Sequence, residues 1–235
     1  MHFLRRLALA SGAAALAFTL TASTAGAQAV FGAAEVDGDD TRLFLLGAAF
    51  SPGGLGWKPF GSVVGYRLSF DNGVGTTSRN VILPTVGLIR TTTTQSLSLG
   101  VGYAFSDDDT EIFVPVTAQS GDGVVASVGW DYWGAGNRMA QILGSFNFGN
   151  QYLWTRGRAA TQLSQGGPIF VGGEAGIMGG GDENAFLVQF GPLLEYRFTS
   201  QFRLTGSAGL KVGVAEISGN TAYGRLEFLW LPGAR

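Results

Sequence analysis

The stretch Ala222-Tyr-Gly-Arg-Leu-Glu-Phe-Leu-Trp-Leu231 alternates strictly between two kinds of side chain. Leu226, Phe228 and Trp230 fall on one face, and Tyr223, Arg225 and Glu227 fall on the other. Because a β-strand directs successive side chains to opposite faces, this segment predicts a strand with an aromatic-rich apolar face and a charged face. Segments of the same period recur about a dozen times along the chain, separated by turn residues.

These segments predict an all-β protein. The clearest cover residues 60–70, 95–106, 124–132, 186–198 and 202–214, and weaker ones cover 29–36, 41–50, 80–91, 111–119, 138–148, 151–163 and 169–178. With the final strand there are 13 segments. Bacterial single-chain barrels have an even number of strands, so we predict about 12 antiparallel strands. The 111–119 segment, interrupted by Pro115, and the short first segment are the weakest of the set.

The N-terminus has the pattern of an export signal. Met1-His-Phe-Leu-Arg-Arg6 is basic, Leu7 to Leu20 is an apolar run of 14 residues, and Ala25-Gly26-Ala27 is a small-x-small cleavage site. The run is shorter than the roughly 20 residues that span a bilayer as a helix. We therefore predict a signal peptide over residues 1–27 and a single domain over residues 28–235.

A closed barrel in the bacterial outer membrane explains the pattern best. In hydrocarbon every unpaired backbone group costs several kcal/mol, so a sheet with an apolar outer face must have no open edge. The aromatic residues near strand ends predict a lipid-facing girdle, and they are Trp130, Tyr132, Phe198, Phe228 and Trp230. The polar faces are rich in Gly, Ser and Thr and poor in Lys, unlike a soluble surface. Lipid and lipopolysaccharide are the partners that this location implies.

The charged residues of the polar faces are predicted to line the lumen. They are Arg67, Arg156, Arg158, Glu174, Glu195, Arg197, Arg225 and Glu227, with Arg203 and Lys211 in the same phase. Mixed signs in a narrow lumen favour an ion-pair network that fills the barrel. The alternative is a selective conduit in which Arg156 and Arg158 attract anionic solutes.

Composition excludes several kinds of chemistry. The only histidine, His2, lies in the signal peptide, and there is no cysteine, so a Ser-His mechanism and an imidazole or thiolate metal site cannot be built. The signal peptide carries two of the 15 basic residues and none of the 17 acidic ones, so the domain is acidic, which argues against nucleic-acid binding. No spacing singles out a glycosidase-like carboxylate pair. We predict no catalytic residue, no metal and no cofactor.

Several motifs resemble the BcsS family of outer-membrane barrels associated with bacterial cellulose synthesis. They are Leu153-Trp-Thr-Arg-Gly-Arg158, Val171-Gly-Gly-Glu174, Gly180-Gly-Asp-Glu-Asn184, Gln189-Phe-Gly191, Ser207-Ala-Gly209 and Tyr223-Gly-Arg-Leu-Glu-Phe228, with Pro52-Gly-Gly-Leu-Gly-Trp57 and Gly65-Tyr-Arg67 upstream. The resemblance implies a non-enzymatic barrel that acts in cellulose or exopolysaccharide biosynthesis or export, with the synthesis machinery or the polysaccharide as partner. The sequence leaves open two alternatives, a small porin or a periplasmic β-sandwich binding module.

Overall fold

The computed structural model describes residues 26–71, 76–110, 121–134, 137–180, 185–214 and 220–232. These residues form one closed antiparallel barrel in which every strand pairs with its neighbours in sequence and β1 pairs with β12. The strands are β1 (Gly26–Asp37), β2 (Arg42–Pro52), β3 (Gly56–Asp71), β4 (Thr76–Thr91), β5 (Gln95–Thr110), β6 (Gly123–Tyr132), β7 (Arg138–Asn147), β8 (Tyr152–Gln162), β9 (Ile169–Gly180), β10 (Ala185–Arg197), β11 (Phe202–Val214) and β12 (Asn220–Trp230).

The all-β barrel of 12 strands that the sequence predicts is confirmed. The short first segment is a strand, whereas the 111–119 segment lies outside the described residues, as does most of the predicted signal peptide. Strand β1 begins at Gly26, two residues before the predicted domain start. Among the described residues, no helix is long and apolar enough to cross a membrane.

The barrel closes where the first and last strands meet. Eight residue pairs join β1 to β12, from Val30 opposite Trp230 to Asp37 opposite Tyr223. On the outer face of this seam the ring of Phe228 lies over Gly32, where an added Cβ would stand 2.4 Å from the ring. A side chain at position 32 would displace the Phe228 ring from its place over the seam.

The two faces of the barrel have the polarity that a membrane requires. From residue 222 to residue 230 the side chains that point outward from β12 are apolar, and Leu226 is 52% exposed. The charged side chains of β8 to β12 point inward, and Glu195 has no exposed surface at all. This is the reverse of a soluble barrel or sandwich, which buries its apolar face and exposes its polar one. An apolar outer wall needs lipid around it, so the barrel belongs in the outer membrane.

Loop lengths orient the barrel. Twelve residues, 111–122, separate β5 from β6 in the sequence, more than separate any other two consecutive strands, and β5 ends at the same end of the barrel as the connections β1–β2, β3–β4, β7–β8, β9–β10 and β11–β12. The five connections at the opposite end, among them the turns at 53–55 and 92–94, have three to six residues. Long loops are extracellular and short turns periplasmic in such barrels. We call the two ends the long-loop end and the short-turn end.

The predicted girdle residues lie at the short-turn end. Trp130 and Tyr132 stack with ring centroids 6.2 Å apart, beside the 92–94 turn. Phe198 follows β10, and Trp230 lies opposite Phe202 at the end of β12. Tyr103 and Phe105 form a second aromatic pair on the outer wall toward the long-loop end of β5. Two aromatic belts therefore flank the apolar band.

Candidate functional site: the charged half of the lumen

Buried charges are concentrated on one side of the lumen. They come from β1 and from β8 to β12, and we call eight of them the lumen network: Glu35, Asp37, Arg156, Arg158, Glu174, Lys211, Arg225 and Glu227. Their side chains are at most 15% exposed. Strand alternation places them inside because each follows or precedes an outward-facing apolar residue. A charge held this far from water needs a close partner of opposite sign.

The network begins at the seam between β1 and β12. Arg225 lies directly opposite Glu35 in the strand register, and its Nε donates a hydrogen bond of 2.6 Å to Glu35. Lys211 of β11 reaches across β12, with its Nζ 2.6 Å from Glu35 and 2.7 Å from Asp37. Two cations therefore share two carboxylates where the barrel closes.

Glu174 of β9 is the centre of the network. One of its oxygens, Oε1, accepts hydrogen bonds of 2.8 Å from Ser207 and from Tyr223, and it lies 3.5 Å from Nη1 of Arg225. Nε2 of Gln189 also lies 3.5 Å from this oxygen. Hydrogen bonds to a charged acceptor are about twice as strong as neutral ones. Four strands, β9 to β12, are thus tied together through one carboxylate.

Glu227 connects side chains that are not neighbours on the wall. It pairs with both Arg156 and Arg158 of β8, and Arg158 Nη1 lies 3.2 Å from its Oε2. Strands β9, β10 and β11 separate β8 from β12 along the sheet. Twelve tilted strands about 4.8 Å apart enclose a barrel roughly 24 Å across. The ion pairs therefore cross the lumen and narrow it.

The crossing extends to the next strands. Gln141 of β7 lies 3.5 Å from Arg156 Nη2 through its Oε1, and its Nε2 donates a hydrogen bond of 2.6 Å to Asp131 of β6. A connected series of polar groups thus runs from β6 to β12 through the interior. Within the described residues, the Nε atoms of Arg156 and Arg158 are buried and have no hydrogen-bond partner.

A second, smaller cluster lies nearer the short-turn end. Glu195 accepts a hydrogen bond of 2.7 Å from Arg197 Nε and one of 3.3 Å from Thr205, and Arg203 lies 3.9 Å away. The Arg197 guanidinium also lies 3.8 Å from the centroid of the buried Phe170 ring. The sequence predicted that Glu195 and Arg197 would share a face, and the barrel brings them into contact.

The opposite side of the lumen is mostly apolar. Val81, Ala104 and Val125 of β4, β5 and β6 form a buried cluster, and Tyr66 and Leu83 pack against it. Serines and glycines of β5 complete this wall. The lumen therefore has a charged wall and a wall of small and apolar side chains.

Arg67 does not belong to the lumen, which corrects the prediction for β3. Its side chain is exposed and lies opposite Phe44 of β2, which is 54% exposed on the outer wall. Directly opposed side chains share a face, so Arg67 points outward and Tyr66 points inward. The sequence assigned the two faces of β3 the wrong way round, because the apolar face with Phe60, Val64 and Tyr66 packs inside the lumen. Apolar character alone does not distinguish the two sides.

The other seven predicted lumen residues point inward, and all seven belong to the two clusters. Glu35, Asp37, Gln189 and Tyr223 were not predicted as site residues. Glu35 alternates with the outward-facing Val36, and this phase is the signal that was present in the sequence. Within the described residues, no group of three or more His, Cys, Asp or Glu side chains is placed to hold a metal ion.

Solved structures share this fold. A COG4313 outer membrane channel from Pseudomonas putida F1 superposes with a TM-score of 0.61 at 12% identity, over 88% of this chain and 95% of that one. The β domain of the Bordetella autotransporter BrkA gives 0.50 at 10% identity over 87% and 98%, and the KdgM porin gives 0.49 at 9% over 86% and 98%. No protein-family model matches the chain, and no curated protein matches it. The structural neighbours are thus outer-membrane barrels, and channels are among them.

Proposed function

We propose that this protein is a non-catalytic outer-membrane channel for small polar solutes, with a lumen that its own side chains constrict. The observation that carries the proposal is the two-walled interior of the closed barrel. A charged wall formed by β1 and β8 to β12 faces an apolar wall formed by β3 to β6. A solute on this path meets fixed donors and acceptors on one side and mostly apolar side chains on the other.

The lumen network is close to electrically balanced. With the second cluster it has six cationic and five anionic side chains: Arg156, Arg158, Arg197, Arg203, Lys211 and Arg225 against Glu35, Asp37, Glu174, Glu195 and Glu227. Balanced charge favours neutral or zwitterionic polar solutes over bare ions. The side chains that join β8 to β12 also leave a narrow path, so we expect conductance steps smaller than those of a wide, open porin.

Planar-bilayer recordings test the channel. The purified protein should produce discrete current steps, and Arg158→Ala should enlarge the steps and shift the reversal potential toward cation selectivity, because it removes a guanidinium from the constriction. Arg90→Ala is the matched control. This arginine is exposed on the outer wall opposite Trp57 and should leave both quantities unchanged. A silent barrel, or an Arg158→Ala channel identical to the wild type, would refute the proposal.

A second candidate is the association with cellulose or another exopolysaccharide. What supports it is the place of the motifs that resemble the BcsS family. Their polar members, including Arg156, Glu174, Ser207, Tyr223 and Glu227, are residues that contact one another in the lumen. Deleting the gene should then reduce cellulase-sensitive dye binding by the cells. Undiminished cellulose in the deletion strain would reject this role and leave the channel untouched.

A further inference from the structure

The outer wall of β2 to β4 has a groove that the channel proposal does not use. It has a volume of about 350 Å³, and Phe44, Leu46, Gly65, Arg67 and Ile82 are among its lining residues. Phe44 and Leu46 are both more than half exposed on the outer wall. A Cβ added at Gly65 would meet nothing nearer than a backbone oxygen 3.9 Å away. The groove exists because position 65 has no side chain between two apolar walls.

Arg67 lies at the edge of this groove on the side of the long-loop end. Its Nη2 donates a hydrogen bond of 3.2 Å to Ser78, a neutral partner. Arg42 of β2 is also exposed, and because it lies opposite Ser69 it is the diagonal neighbour of Arg67 on the same face. Among the described residues, neither guanidinium forms an ion pair with a carboxylate. Two positive charges therefore stand on the lipid-facing wall with no described carboxylate paired to them, and Asn80 separates Arg67 from Asp107 on the same face.

The height of Arg67 identifies what neutralises it. Trp57, on the outer wall at the short-turn end, marks the periplasmic interface of the same strand. A tilted strand crosses the hydrocarbon in about 9–11 residues, so Arg67 reaches the headgroup level of the outer leaflet. There an arginine costs little, about 0–1 kcal/mol, whereas it costs about 2–4 kcal/mol at the midplane. The groove lies below it, at the depth of the acyl chains.

We propose that this groove is a binding site for the phosphorylated lipid A of lipopolysaccharide. Arg67 and Arg42 hold a phosphate, and one acyl chain lies along Phe44, Leu46 and Ile82 over Gly65. The guanidinium suits this ligand because its planar donors can bind two phosphate oxygens at once. The apolar lining accounts for the chain below the phosphate. A zwitterionic phospholipid offers the acyl chains without the net negative charge.

Native mass spectrometry of the detergent-solubilised barrel tests the site. Wild-type protein should bind one lipid A tightly and should bind dephosphorylated lipid A about tenfold more weakly, a comparison that needs no variant. Arg67→Gln should weaken lipid A binding about tenfold and leave the dephosphorylated lipid unaffected. Arg90→Gln, on the same outer wall at the short-turn end, is the matched control and should bind as the wild type does.

A second variant tests the groove apart from the charge. Gly65→Leu fills the space and keeps both arginines, so it should weaken both lipids by a similar factor, about fivefold or more. Equal binding of lipid A and its dephosphorylated form by the wild type would overturn the proposal. Lipid A binding that neither Arg67→Gln nor Gly65→Leu weakens would overturn it too. Heat-modifiable migration on a gel verifies that each variant forms the barrel.

Discussion

Replacing Glu174 with glutamine isolates the energetic value of the network centre. The substitution keeps the size of the side chain and the oxygen that accepts from Ser207 and Tyr223, but it removes the charge. Each of these two hydrogen bonds then has a neutral acceptor in place of a charged one, which weakens it by about 1 kcal/mol. Arg225 keeps Glu35 and Glu227 as partners, so its lost interaction adds about 1 kcal/mol more. We expect Glu174→Gln to lower the free energy of unfolding by about 3 kcal/mol.

Urea unfolding of the barrel in lipid vesicles, followed by tryptophan fluorescence, measures this difference. Asp131→Asn is the control, because Asp131 is a lumen carboxylate that accepts one hydrogen bond, from the neutral Gln141. It should cost less than about 1 kcal/mol. A loss for Glu174→Gln that is no larger than the loss for Asp131→Asn would show that the buried charge is not the source of stability. Glu174 would then not be the energetic centre of the network.

Two further predictions concern packing and orientation. Gly209→Ala should lower the midpoint of heat-modifiable gel migration by several degrees, because the added Cβ would stand 2.0 Å from a backbone oxygen of β10. Gly206→Ala on the same strand is the control. Its Cβ meets nothing within 4 Å, so the midpoint should stay unchanged. Equal midpoints would contradict the strand packing. In single-tryptophan variants, brominated lipids should quench the fluorescence of Trp130, which lies on the outer wall. They should not quench Trp154, whose ring lies inside the barrel, 5.9 Å from the Arg156 guanidinium. Quenching of both would contradict the inward placement of Trp154.

The fold could be predicted because most strands separate apolar and polar residues cleanly. In residues 97–105 of β5 and residues 222–230 of β12 one face is apolar throughout, so the alternation fixes both the strand and its lipid-facing side. In β3 the inward face is itself apolar, with Phe60 and Tyr66, and the outward face includes Arg67. Alternation then still predicts the strand, but the side depends on what the neighbouring strands contribute to the lumen.

The contacts of the site could not be predicted from local pattern. Glu35 and Arg225 are 190 residues apart, and they become neighbours only when the first strand pairs with the last. Arg156 and Glu227 meet because side chains from non-adjacent strands extend across the interior. Phase predicts that these residues face inward, whereas their partners depend on the curvature and shear of the closed sheet.

The seam between β1 and β12 also sets the order of events in assembly. Every other strand pair is a hairpin between sequence neighbours, but this pair joins the two ends of the domain and has the highest entropy of loop closure. Until β12 pairs with β1, Glu35 has no Arg225 beside it, and Lys211, which reaches Glu35 and Asp37 across β12, is also absent. An unfinished sheet therefore carries unneutralised acid at its leading edge, which keeps that edge in water. Arrival of the last strand cancels the charge and removes the edge in one step, so only the complete barrel is compatible with the lipid interior.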